Sequence, residues 1–129
     1  MNKALAIAAA MAMSCGIPAE AQNDVNIGKS NITLKSDLMT PETLWAMGRI
    51  GAVVPSPDGK QVVYQVGYYS VKENRGHQVI CVMDANGKNQ RQLTTSAKNE
   101  TDPAWIEGGK RIAYLHEGQL WSMLPDGTD

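Results

Sequence analysis

Pro55-Ser56-Pro57-Asp58-Gly59-Lys60-Gln61-Val62-Val63-Tyr64 decides the fold, because its shape returns fifty residues later as Trp105-Ile106-Glu107-Gly108-Gly109-Lys110-Arg111-Ile112-Ala113-Tyr114. In both copies a glycine-containing turn leads into a basic residue, a polar residue, two small or branched apolar residues and a tyrosine. The match continues downstream. Gln78-Val79-Ile80-Cys81-Val82-Met83, closed by Asn86-Gly87, answers to Gln119-Leu120-Trp121-Ser122-Met123-Leu124, closed by Asp126-Gly127. A supersecondary unit repeated with a period of 40 to 50 residues is the signature of stacked or radially arranged modules.

The turn pairs Asp58-Gly59, Asn86-Gly87 and Asp126-Gly127 join an Asx residue, which tolerates positive φ, to a glycine that adopts it freely. The runs between them are rich in Val, Ile, Tyr and Trp and too short for helices, so they read as strands. The second unit reverses tightly at Glu117-Gly118, whereas the first carries a polar insertion over 66–76 that is expected to project as a loop. Arg91-Gln92-Leu93-Thr94 supplies a fourth, outermost strand. Each unit is therefore expected to be a four-stranded antiparallel meander, which places the chain in the all-β class as blades of a β-propeller. The first blade is expected over about 49–95 and the second, incomplete, over about 101–129. Such a meander has two apolar faces and needs neighbours to cover them.

Upstream, Thr40-Pro41-Glu42-Thr43 combines a hydroxyl cap, proline at the first helical position and an acid in the first turn. A single short helix through Leu44, Trp45 and Met47, ending near Gly48, is expected. Residues 22–37 are polar and read as a flexible lead-in, with room for one short edge strand. Residues 1–21 read as a signal peptide: Lys3 is the positive end, residues 4–13 the apolar run, and Ala19-Glu20-Ala21 the small-residue cleavage site. A second reading makes Cys15 a lipid-anchored N-terminus. The expected location is periplasmic or secreted, with no membrane span, since the apolar run is too short to cross a bilayer.

The 129 residues carry 12 Lys and Arg against 13 Asp and Glu, a net charge of −1, with no basic run to follow a phosphate backbone. Nucleic acid is not an expected partner. Of the two cysteines, cleavage at Ala21 would leave Cys81, read as a small hydrophobe in a strand. No Cys-x-x-Cys pair or His/Cys cluster suggests a metal, and no cofactor is expected.

Leu38-Met39-Thr40-Pro41-Glu42-Thr43-Leu44, followed by Arg49-Ile50-Gly51-Ala52-Val53-Val54-Pro55-Ser56-Pro57-Asp58-Gly59-Lys60, resembles the mature N-terminus of bacterial prolyl oligopeptidase family serine peptidases of the acylaminoacyl-peptidase and dipeptidyl-peptidase type. The second unit, from Asp102-Pro103-Ala104-Trp105 to Asp126-Gly127-Thr128, is similar to TolB-type repeats. The resemblance spans 38–129. It implies a seven- or eight-bladed propeller and an α/β-hydrolase domain of the same polypeptide, with short peptides as substrates of the full enzyme.

That hydrolase domain needs a Gly-x-Ser-x-Gly elbow, and no serine here has both glycines. No catalytic, cofactor-binding or metal-binding residue is therefore assigned. His77 and His116 are expected at turns or on the surface, and Asp58, Asp84, Asp102 and Asp126 at turns or strand ends. Trp105 and Trp121 are expected to pack between blades. Asn31-Ile32-Thr33 and Asn99-Glu100-Thr101 fit the glycosylation pattern, which is short enough to arise by chance. Two alternatives remain: a non-catalytic TolB-like periplasmic propeller that binds a protein partner, and a complete two-blade chain.

Overall fold

The computed structural model describes residues 25–129; the expected signal segment, its cleavage site and Cys15 lie outside them. The first regular element is α1, Pro41–Ala46. Thr40 Oγ1 accepts from the Thr43 N–H at 3.2 Å, and Pro41 occupies the opening position where a missing N–H costs nothing. Met47 is already extended, so the helix stops short of Gly48. Six residues cannot hold a helix alone. Packing does so here: Trp45 meets the Tyr69 ring at 4.8 Å between centroids, and the Arg49 guanidinium lies 4.9 Å over the indole.

Strands β1 (Arg49–Pro55), β2 (Gln61–Ser70), β3 (Arg75–Asp84) and β4 (Arg91–Gln92) form one antiparallel sheet in chain order. Strands β5 (Glu100–Ile106), β6 (Arg111–His116) and β7 (Gln119–Met123) form a second, also in chain order. The first sheet is the expected four-stranded meander. The second has three strands where a four-stranded meander was expected.

The sequence repeat is also a repeat of backbone detail. The register slips between Ile50 and Val53 in β1 and again between Thr101 and Ala104 in β5, so each unit opens on a bulged strand. The turn after β3 is closed by Asp84 N–H to Lys88 O and by Asn86 Oδ1 accepting from Lys88 N–H. After β7, Leu124 N–H bonds Thr128 O while Asp126 Oδ1 accepts from Thr128 N–H. Gly87 and Gly127 hold φ of 81° and 93° in these turns, a region where a side chain is strained.

The insertion over 66–76 does not make the expected loop. Its residues continue the ladder from Val66 opposite Val79 to Ser70 opposite Arg75, so β2 and β3 reach ten residues each and turn only at 71–74. Alternation explains this outcome, since Tyr64, Val66 and Tyr68 present one consistent face that a lengthened hairpin can use.

The two sheets pack face to face. Val63, Ile80, Ile112 and Met123 are buried together between them, with Val54, Leu93, Trp105 and Tyr114 against them. Two directional bonds join the layers: Trp105 Nε1–H donates to Val54 O at 3.0 Å, and Asp102 N–H donates to Gln65 Oε1 at 3.0 Å. Asp102 sits in the β5 bulge with φ of 53°, which turns its N–H out of the ladder. Because β4 is two residues long, the outer edge of β3 needs other acceptors. Side chains supply them, with Thr94 Oγ1 taking the Ile80 N–H and Asn99 Oδ1 the Gln78 N–H, both at 2.9 Å.

Candidate functional site

The densest polar arrangement lies where the two sheets are joined, around the connector 96–99 and the buried Glu100 at the start of β5. Glu100 is 2% exposed. Ser96 Oγ donates to its Oε1, and His116 Nδ1 lies 3.4 Å from the same oxygen, within ion-pair reach but out of line for a hydrogen bond. Glu100 Oε2 and His116 Nδ1 are buried without hydrogen-bond partners. Glu117 Oε2 stands 3.9 Å from His116 Nε2 and Glu117 Oε1 3.7 Å from Lys98 Nζ. The Trp121 ring meets the imidazole edge-on at 5.9 Å. Tyr114 lines the same small cavity of about 280 Å³, and its phenol is pushed up by burial and then by the charges of Glu100 and Asp129.

Serine, histidine and glutamate meet here, but not as acyl-transfer machinery. A nucleophilic serine must hand its proton to an imidazole that a carboxylate orients. Here the hydroxyl of Ser96 donates to the carboxylate itself. Elsewhere Ser56 Oγ donates to Asp58 Oδ1 at 2.6 Å, and Ser122 Oγ accepts from Arg111 Nε at 3.1 Å. Among the described residues no group of three His, Cys, Asp or Glu side chains is placed to hold a metal ion. No helix among them is long and apolar enough to cross a membrane.

His77 corrects the expectation of a turn or surface position. It lies within β3, 2% exposed, with Nδ1 at 2.5 Å from Ile27 O and Nε2 at 3.0 Å from Lys98 O. Its partners come from 50 and 21 residues away, so no local pattern marks it. The start of the described lead-in, residues 25–27, is anchored, while 28–37 stay exposed. Arg75 Nη2 donates to Val25 O at 2.7 Å, Asn26 Nδ2 to Thr95 O at 3.3 Å, and Ile27 is buried. No strand forms over 25–37.

The turn carboxylates behave as turn chemistry predicts. Asp58 Oδ1 takes the Ser56 hydroxyl and the Lys60 N–H, which hold its carboxyl below the usual aspartate range. Asp126 is lowered in the same way by the Thr128 N–H and hydroxyl. Asp84, at the end of β3, accepts from Asn89 Nδ2 at 2.6 Å. Trp105 packs between the sheets as expected, while Trp121 remains 46% exposed.

Cys81 is a buried hydrophobe in β3, set beside Val66, Val79, Tyr64 and Tyr68. Burial pushes its thiol from 9.0 up to about 11. The folded state thus binds the proton more tightly than the unfolded chain. The associated stability is complete below about pH 9 and is lost as pH rises towards 11. Cys81 is expected to resist a disulfide-exchange reagent in the native protein at pH 8 and to react fully on denaturation. Rapid labelling without unfolding would contradict the packing.

Three further surfaces stand out. An open cleft of about 710 Å³ lies between the lead-in, α1 and the long β2–β3 hairpin, walled by Ile27, Ile32, Trp45, Tyr69 and Val71. The outward face of the second sheet carries Ala104, Ile106, Ala113, Leu115 and Leu120, of which Leu120 is 75% exposed. The outward face of the first sheet carries Tyr64, Val66, Tyr68, Val79 and Cys81, with Ile50 and Val53 exposed opposite Val66 and Tyr64. Each sheet is apolar on both sides. On the outward face of the first sheet Val66, Val79 and Cys81 are buried while Ile50 and Val53 stay exposed, and on that of the second Leu115 and Leu120 are exposed.

No family model matches the chain. It is similar to dipeptidyl-peptidase 5 of Porphyromonas endodontalis, 42% identical over 122 residues that make up 92% of this chain and 18% of that protein. It is also similar to dipeptidyl-peptidase 5 of Porphyromonas gingivalis, 39% identical over 77 residues, 60% of this chain and 11% of that protein. The chain spans less than a fifth of the length of these curated relatives, so what it shares with them is a part of a larger peptidase.

Proposed function

We propose that this chain is the leading part of a β-propeller in an exported serine peptidase of the prolyl oligopeptidase family, and that the propeller gates peptide access to a catalytic domain lying elsewhere in the polypeptide. The observation that carries the reading is the alignment of 92% of the chain with a small part of a dipeptidyl-peptidase. Two features of the fold support it. The bulged first strand and the Asx-Gly turns recur from one sheet to the next, as repeated blades require. Both outward faces are apolar, as stacking on further sheets requires.

In this reading the contribution of the chain to catalysis is steric. Rigid, stacked sheets around a buried triad admit short, unfolded peptides and exclude folded proteins, so selection by size precedes any recognition of sequence. Export follows from the leader-like residues 1–21.

The test is to label the protein as the cell produces it with a serine-directed fluorophosphonate, after separating the envelope from the cytoplasm. A labelled band in the exported fraction that releases dipeptides from short peptides and spares folded proteins is the expected result. An unlabelled product that carries repeats alone would overturn the peptidase reading in favour of a non-catalytic, partner-binding propeller.

A further inference from the structure

The chain contains two histidines: His77 meets the connector 96–99 that joins the two sheets directly, and His116 bears on it through Glu100, which holds Ser96. His77 approaches it from β3. Its Nε2 faces Lys98 O at 3.0 Å and its Nδ1 faces Ile27 O at 2.5 Å. Both partners are carbonyl oxygens, which only accept, while a neutral imidazole carries one N–H. The two contacts are therefore both hydrogen bonds only in the imidazolium form. His116 approaches from β6, and its nitrogens stand 3.4 Å from Glu100 Oε1 and 3.9 Å from Glu117 Oε2. Glu100 in turn holds Ser96, whose hydroxyl also accepts from the Lys98 N–H at 3.1 Å.

We propose that His77 and His116 form a proton-operated lock on this connector, closed when both rings are protonated and slack when they are neutral. In the protonated state His77 ties β3, the lead-in and the connector together. His116 then sits as a cation between two carboxylates, 3.4 Å from Glu100 Oε1 and 3.9 Å from Glu117 Oε2. Loss of the protons removes one of the two bonds at His77 and both charge pairs at His116.

Among the described residues these groups bear on the lock. On its own strand His77 has Arg75, whose guanidinium is engaged with Val25 O, and in register across the hairpin it has Tyr68. The lead-in and the connector present backbone carbonyls to it. Around His116 stand Glu100 from β5, Glu117 from the β6–β7 turn, the Trp121 ring from β7, and Lys98 acting through Glu117. The inference does not depend on the peptidase reading, because it concerns only how these two sheets are joined.

Amide hydrogen exchange of the segment 93–101, in the protein as the cell produces it, tests the lock at about pH 5.5 and about pH 8. After correction for the intrinsic exchange rate, protection is expected to be about tenfold greater in acid, the scale of a hydrogen bond or two. The difference should vanish in a variant carrying His77→Gln and His116→Gln. Equal protection at the two pH values, or greater protection in alkali, overturns the proposal. Nitrogen NMR of the unmodified imidazoles gives a second reading that needs no variant. Both ring nitrogens of His77 should carry hydrogen in acid and one should lose it in alkali, whereas a single tautomer throughout would overturn the lock.

Discussion

Ile112→Ala is expected to destabilise the protein by about 2–5 kcal/mol, the cost of removing a fully buried branched side chain and leaving a cavity. Ile112 has no exposed surface and lies in the cluster with Val63, Ile80 and Met123 that joins the sheets. The second sheet has few residues to compensate, since its inward contribution is Trp105, Ile112, Tyr114 and Met123. Val71→Ala supplies the control, because Val71 is 65% exposed in the β2–β3 turn, away from both apolar faces, and its loss should change stability by no more than about 0.5 kcal/mol. Thermal unfolding of both variants checks the contrast. Equal effects at the two positions would mean that the layers are not held by this cluster.

Leu115→Asp separates a two-sheet unit from a longer stack. Leu115 lies on the outward face of the second sheet beside Ala113 and opposite Leu120. If further sheets cover that face, the carboxylate is buried without a partner and costs at least about 3 kcal/mol, with loss of soluble protein as the visible sign. If the face is open to water, the change stays within about 0.5 kcal/mol. The proposed propeller requires the first outcome. Melting temperature and soluble yield of the protein as the cell produces it distinguish the two, and an unchanged variant would remove the reason for placing more blades against this surface.

What could be read from the sequence was whatever is settled within a few residues. The cap at Thr40, the Asx-Gly turns at Asn86 and Asp126, and the strands between them are local bargains between side chain and backbone, and they appear where expected except that the fourth strand, expected over 91–94, covers only Arg91–Gln92. The lengthened β2–β3 hairpin was missed because Lys72, Glu73 and Asn74 look like loop composition, while the ladder above them depends on pairing across the hairpin. His77 was missed for a stronger reason, since its burial is made by Ile27 and Lys98, which only the finished fold brings to it. Glu100 carried one sequence mark, a place in a glycosylation pattern, and nothing in that pattern tells of a buried carboxylate held by Ser96 and faced by His116. Its one audible signal was an acid at the first position of a bulged strand.

The bonds from Trp105 to Val54 and from Asp102 to Gln65 have a geometric consequence. Greasy surfaces alone would let one layer swivel or slip over another at little cost. Two fixed pegs, set apart along β5, forbid both movements and leave a single angle between neighbouring layers. Any array made by repeating this contact inherits that angle at every step, so the curvature of the whole is written into one indole and one amide.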